Sequence, residues 1–168
     1  MFQKGEYVFY ESDGICLVAD ILESPLSSMP EGKQYYLLHP IYNKNAVVYV
    51  PVDSDKIYLR RILNRKEAEE LVREIPAVEE IREEDSKKLR TTYAELLKTH
   101  HPKNWIRIIK TVYGRVREAL PRGQRISDTE RNAAESAKRY LHSELALALE
   151  LDESEVEGYI RSRIGEPA

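Results

Sequence analysis

The sequence predicts an α+β protein, a small N-terminal β-barrel followed by an all-α helical bundle. Three observations predict it. The first third holds short runs of β-branched and aromatic residues separated by Gly, Pro and Asn. Beyond residue 60 the apolar spacing changes to three or four. Ser127 and Glu130 then spell S-x-x-E ahead of a long alanine- and leucine-rich repeat, the signature of a helix start.

Tyr7–Tyr10 reads as the first strand, and Ser12-Asp13-Gly14 as the turn after it, with Gly14 free to take positive φ. The β pattern resumes over Ile15–Ile21. Pro25, Pro30, Gly32 and two serines mark 24–32 as a loop. Tyr35–Tyr42 reads as a third strand, Asn43-Lys44-Asn45 as a turn, and Ala46–Val50, stopped by Pro51, as a fourth. Ile57–Leu59 is a short fifth. About 60 residues suffice for an SH3- or Tudor-like barrel, though that size is marginal alone.

Asn64 caps a predicted helix to Glu74, ended by Pro76. Residues 77–85 are acidic and carry no period. Ser86 is the expected cap of a second helix to Thr99, with Leu89, Tyr93 and Leu96 on one face. Pro102 suits the first position of a third helix. At about 100° per residue, Trp105, Ile108, Ile109, Val112, Val116 and Leu120 share one arc, and Lys103, Arg107, Lys110 and Arg117 another. Pro121 and Gly123 end this helix. The S-x-x-E start at Ser127 leads into Ala134, Ala137, Leu141, Leu145 and Ala148, whose alanines imply a closely packed neighbour. Asp152 and Glu155 open a last helix to Ile164, and the tail from Gly165 to Ala168 is expected to fray. The expected domains are 1–60 and 61–168.

The chain of 168 residues carries a net charge of −3, and that charge is unevenly spread. Residues 87–142 hold 14 basic and 5 acidic side chains, a net +9, while the flanking segments are acidic. Such a block attracts a polyanion, or pairs with acidic neighbours on solvated helix faces. No apolar run approaches the ~18 residues of a membrane span, and no signal peptide is visible, so a cytoplasmic protein is expected. A single cysteine, Cys16, excludes a disulfide within the chain and a multi-cysteine zinc site. It lies in an apolar strand and reads as a small core residue.

No catalytic constellation emerges. The four histidines, His39, His100, His101 and His142, lack metal-ligand spacing, and the adjacent His100-His101 suit a helix junction, capping it or facing solvent. No phosphate-binding glycine loop is present. Glu79-Glu80 and Glu83-Glu84-Asp85 read as a solvated linker. Trp105, the only tryptophan, falls in the apolar arc and reads as core rather than as a base-stacking residue. The expectation is a protein that is not an enzyme and has no cofactor, metal or small-molecule substrate.

Three stretches carry a family resemblance. Lys4-Gly5-Glu6-Tyr7-Val8-Phe9-Tyr10, followed by Asp13-Gly14-Ile15 through Ile21, is similar to a G-[DE]-x-V-x-Y strand, glycine turn and apolar strand. Val48-Tyr49-Val50-Pro51 is similar to a V-x-V-P strand end. Ile126-Ser127-Asp128-Thr129-Glu130-Arg131 through Leu141-His142-Ser143-Glu144-Leu145-Ala146-Leu147-Ala148 resembles an L-S-x-x-E-[KR] start with a G-E-L-A-L-A ending. In this order they resemble the CarD/CdnL family of bacterial RNA polymerase-binding transcription regulators. Its N-terminal domain is also similar to one in the transcription-repair coupling factor.

The resemblance implies a Tudor-like domain that docks on the polymerase β subunit, and a helical domain that contacts upstream promoter DNA and modulates the open complex. The docking residues it implies are Ser24, Val48, Tyr49 and Val50. Ser24 and Tyr49 stand where well-studied members have basic residues. Docking through a strand edge tolerates that change, because it uses backbone groups. The family's DNA-wedging tryptophan aligns with Ser86. The basic residues left for phosphate contacts are Lys87, Lys88, Arg90, Lys103, Arg107, Lys110 and Arg117. The rival reading is a polymerase-binding adaptor that has lost DNA wedging.

Overall fold

The computed structural model describes residues 1–11, 13–54 and 59–165. Ser12 of the first turn, Ile57 and Tyr58 of the expected fifth strand and 166–168 of the expected frayed tail lie outside the described residues. The chain divides into two compact units, Met1–Ile62 and a second beginning at Leu63.

The N-terminal unit is an antiparallel sheet of β1 (Tyr7–Tyr10), β2 (Gly14–Glu23), β3 (Gln34–Pro40), β4 (Val48–Pro51) and β5 (Leu59–Arg61), ordered β4-β3-β2-β1-β5. The α+β class therefore holds. Among the described residues the ladder stays open, with β4 and β5 as its edges, and does not close into a barrel. Gly14 has φ 74°, the positive value the β1–β2 turn requires. The unit extends to Ile62 because β5 runs to Arg61 and the Ile62 N–H still donates to the Tyr7 carbonyl at 3.3 Å.

One sheet face builds the core from Val8, Cys16, Val18, Tyr36, Leu38 and Val50, with Ile21 and Val48 packed against them. Strict alternation along β2 would continue from Val18 to Asp20. The register instead pairs Val18 with Leu38 and Asp20 with Leu37, so Ala19 is an extra, bulged residue. The bulge turns Asp20 off the core face and brings Ile21 onto it. Cys16 is fully buried, as its strand predicts. Burial first, and then the Asp13 charge, push its thiol up to about 12, which leaves it un-ionised and unreactive.

The second unit comprises α1 (Arg65–Glu74), α2 (Ser86–Thr99), α3 (Pro102–Ala119), α4 (Asp128–Leu149) and α5 (Glu153–Ile164). Short 3-10 turns, Ile75–Ala77 and Leu120–Arg122, follow α1 and α3. Trp105, Ile108 and Val112 of α3 are buried, as are Ala137, Leu141 and Leu145 of α4, and these two helices form the bundle's main packing. Trp105 is fully buried, with its ring 5.5 Å from that of Tyr140, so it is a core residue as its helical angle predicts.

Several local expectations need correction. The cap of α2 is Asp85, not Ser86. One Asp85 oxygen accepts from the Lys87 and Lys88 amides at 2.9 and 3.2 Å, and its charge complements the helix N-terminus. Leu120 is 69% exposed, because α3 ends at Ala119 and the 3-10 turn abandons the 100° step on which the apolar arc rests. Ile106 and Thr111 are buried beyond that arc. Of the adjacent pair on α4, Ala133 is buried, while Ala134 is only half-buried. His101 is exposed at the N-cap of α3, whereas His100 is buried as the C-cap of α2, with φ 55°.

Candidate functional site

In the sheet unit, β4 pairs with β3 on one side: Val48 opposes Leu38, Tyr49 opposes Leu37 and Val50 opposes Tyr36. The Val52 N–H donates to the Gln34 carbonyl at 3.0 Å. By alternation, the backbone groups of Val50 and Val48 also face β3, and those of Tyr49 face the open edge. Pro51 has no N–H to offer there. The two valines face the core, so the half-buried Tyr49 side chain is on the other sheet face. Tyr42 and Val47, in the turn leading to β4, are each about half exposed. The edge therefore presents one strand-pairing donor, at Tyr49, beside apolar surface.

Ser24 has a different job. It ends β2 with φ 38°, its N–H donates to the Lys33 carbonyl at 2.9 Å, and its hydroxyl donates to the Pro30 carbonyl at 2.5 Å. The side chain thus closes the β2–β3 loop. The structure does not place it on the β4 edge, since β2 lies two strands away.

The match to known families decides the character of this unit. Residues 2–63 match the family model of the CarD-like/TRCF RID domain.

The sheet unit is a CarD-like/TRCF RID domain.

That domain type interacts with RNA polymerase. Two of the three stretches that carry the resemblance, Lys4–Ile21 and Val48–Pro51, fall inside the match. The Ile126–Ala148 stretch of the helical unit lies beyond it. No curated protein matches the chain.

In the helical unit the seven expected phosphate-binding residues separate into two groups. Lys110 is committed internally: its ammonium donates to the carbonyls of Ile75, Pro76 and Val78 at 2.9, 3.3 and 2.5 Å. Together with Thr111, whose hydroxyl oxygen accepts from the Ile81 N–H at 2.8 Å, it straps the aperiodic segment after α1 along α3. A Cβ on Gly114 would come within 2.9 Å of the Glu80 carboxylate, so the strap crosses α3 where its side chain is smallest. Lys103 is paired with Glu74 at 2.9 Å. By contrast, Lys87, Lys88 and Arg90 are exposed along the first turns of α2, Arg117 is exposed on α3, and Arg107 is half-buried there.

A buried polar cluster supports this surface from below. Glu130 is 5% exposed and accepts from the Tyr93 hydroxyl at 3.1 Å, from Arg115 Nε at 2.6 Å and from Arg115 Nη2 at 3.1 Å. Burial, then the Glu130 charge, push the Tyr93 hydroxyl well above its ordinary range, so it remains a donor. The hydrogen bond to Glu130 likewise raises Arg115. These contacts join α2, α3 and α4. The anticipated capping box at Ser127 is therefore only half made. Ser127 accepts from the Glu130 N–H at 3.2 Å, but the Glu130 carboxylate turns inward.

Sequence reasoning missed Arg122 and Arg125, which flank Gly123-Gln124 between α3 and α4. With Arg90, Arg115 and Glu118 they line a cleft of about 420 Å³ above Glu130. The available signal was the basic turn Pro121-Arg122-Gly123-Gln124-Arg125, in which neither arginine belongs to a helix face. Among the described residues no group of His, Cys, Asp and Glu is placed to hold a metal ion. Among the described residues no helix is long and apolar enough to cross a membrane.

Proposed function

We propose that this protein is a non-enzymatic, cytoplasmic transcription regulator. Its sheet unit docks on the β subunit of RNA polymerase by adding β4 to a strand there. Its helical unit makes phosphate contacts with upstream promoter DNA and so modulates open-complex stability. The observation that carries the reading is the β4 edge, unpaired among the described residues, with Tyr49 turned outward, in a domain of the RNA polymerase-interacting type. A Tudor-like curvature of the sheet belongs to the same reading. Lys87, Lys88, Arg107 and Arg117 are the DNA-contacting set, Arg90 turns to the cleft above Glu130, and Lys103 and Lys110 serve the fold.

Polymerase capture by the intact protein tests the docking. Tyr49→Pro removes the outward N–H without touching the β3 ladder, and it should weaken capture about tenfold or more at unchanged circular dichroism. Capture at the wild-type level would reject strand addition. Duplex titration across salt tests the second half. The affinity should fall by about 0.9 log unit per log salt for each phosphate neutralised. Lys87→Gln with Lys88→Gln should flatten that slope, whereas Lys103→Gln should leave it unchanged.

A second reading, a polymerase-bound adaptor that does not touch DNA, is favoured by one observation. Ser86 is exposed at the first turn of α2, and the only tryptophan is wholly buried, so the helical unit has no wedge to insert between bases. A duplex titration without saturable binding selects it.

A further inference from the structure

The cleft between α2, α3 and the turn before α4 differs from the convex rows of basic residues on the helices. Arg90 reaches it from α2, Arg115 from α3, and Arg122 and Arg125 from the connecting turn. Arg115 is satisfied by Glu130, and both Glu130 oxygens are occupied. Among the described residues, Arg90, Arg122 and Arg125 form no ion pair. Three unpaired guanidinium groups face one carboxylate without a pair, Glu118, in the same lining. The local balance is a charge of two positive units. Ser127 adds a donor, because its oxygen accepts from Glu130 N–H while its own proton remains available.

Like charges held around a concavity repel one another, and an anion between them removes that repulsion. Guanidinium groups do so with paired, directional hydrogen bonds that fit phosphoryl oxygens. The volume, about 420 Å³, lies within the roughly 300–1,000 Å³ usual for small-ligand sites. A duplex backbone is a continuous ribbon of charge and is met best by basic residues in rows. Convergence from three chain segments onto one hollow suits a compact polyanion.

We propose that this arginine cleft binds a small phosphorylated compound through a diphosphate group, as a ligand separate from DNA. The Tyr93–Glu130–Arg115 cluster is the rigid floor that keeps the cleft open, and Arg122 and Arg125 close over the anion from the turn.

Calorimetric titration of the full chain with inorganic pyrophosphate, at constant ionic strength, tests this. One saturable site is expected. Arg122→Gln and Arg125→Gln should each weaken it about tenfold, the loss of one charge-assisted contact. Both residues are exposed, so the variants should keep the wild-type thermal midpoint, and Lys98→Gln, which removes a charge outside the cleft, should bind as wild type. Comparable affinities for pyrophosphate and ATP would place recognition in the diphosphate, and tighter ATP binding would add the nucleoside. Both results support the proposal. Absence of saturable binding to either probe overturns it, as does wild-type binding by both arginine variants. It is also overturned if the two variants lose only duplex binding, because the cleft would then belong to the DNA surface.

Discussion

Two helix starts in this molecule have the same local grammar and different outcomes. At α1, Asn64 Oδ1 accepts from the Glu67 N–H at 2.8 Å, and Glu67 Oε1 accepts from the Asn64 N–H at 3.0 Å. At α4, Ser127 accepts from the Glu130 N–H, but the Glu130 carboxylate leaves the helix end for Tyr93 and Arg115. The first carboxylate stays near the surface and keeps the Asn64 amide as a partner. The second sits beside a guanidinium under the bundle surface, where a charge-assisted pair is stronger than a reciprocal cap. A capping motif thus fixes where a helix begins. What the third residue's side chain does there depends on what the rest of the fold brings within reach.

Removing the inward carboxylate should break this contrast most. Glu130→Ala leaves Arg115 and the Tyr93 hydroxyl without their acceptor and should cost about 3 kcal/mol in urea unfolding. Equal costs for Glu130→Ala and Glu67→Ala would mean that both act merely as caps. Glu144 carries the contrast to the other end of α4. It is fully buried and accepts from the Leu63 N–H at 2.8 Å, fixing the chain just ahead of the α1 cap. Glu144→Leu should cost about 2 kcal/mol, because that amide loses its acceptor. Asn64→Ala and Ser127→Ala should each cost about 1 kcal/mol, since both caps satisfy one backbone amide.

The smallest effect concerns pH. His142 on α4 has its ordinary value lowered by burial first, then by the Lys138 charge, while Glu157 and Glu153 oppose the shift. The unfolded chain therefore takes up the proton first. Stability should be complete above pH 6.5 and decline as the pH falls from there toward the lowered folded-state value. Thermal melts of His142→Gln should show a shallower decline over that window, and a wild-type profile from the variant would assign it to other groups.

Strands and helices were legible wherever the apolar period was unbroken. Trp105 was placed in the core by its helical angle alone, and Cys16 by its strand. Misreadings gather where a local rule meets a neighbour that the sequence does not display. Ser86 reads as a cap until Asp85 takes the first-turn amides. Leu120 belongs to an arc that ends one residue before it. Lys110 looks like part of a basic stripe, because nothing in the aperiodic segment after Pro76 reveals that its carbonyls will bind that ammonium. The β4 strand was readable from Val48-Tyr49-Val50-Pro51, but which of its backbone groups face β3 was not, because that depends on the pairing register. The arginine cleft was not readable, because Arg90 lies about 25 to 35 residues before Arg115, Arg122 and Arg125 and meets them only through helix packing.

The bulge at Ala19 has a consequence for how this sheet can change its length. Removing almost any residue of β2 would exchange the inner and outer sets of everything beyond the gap, burying Asp20 or expelling Ile21. Ala19 is the exception. Without it, Val18 would still oppose Leu38, Asp20 would still oppose Leu37 and Ile21 would still oppose Tyr36, as they do now. Homologous chains one residue shorter in this strand should therefore carry their gap at this position.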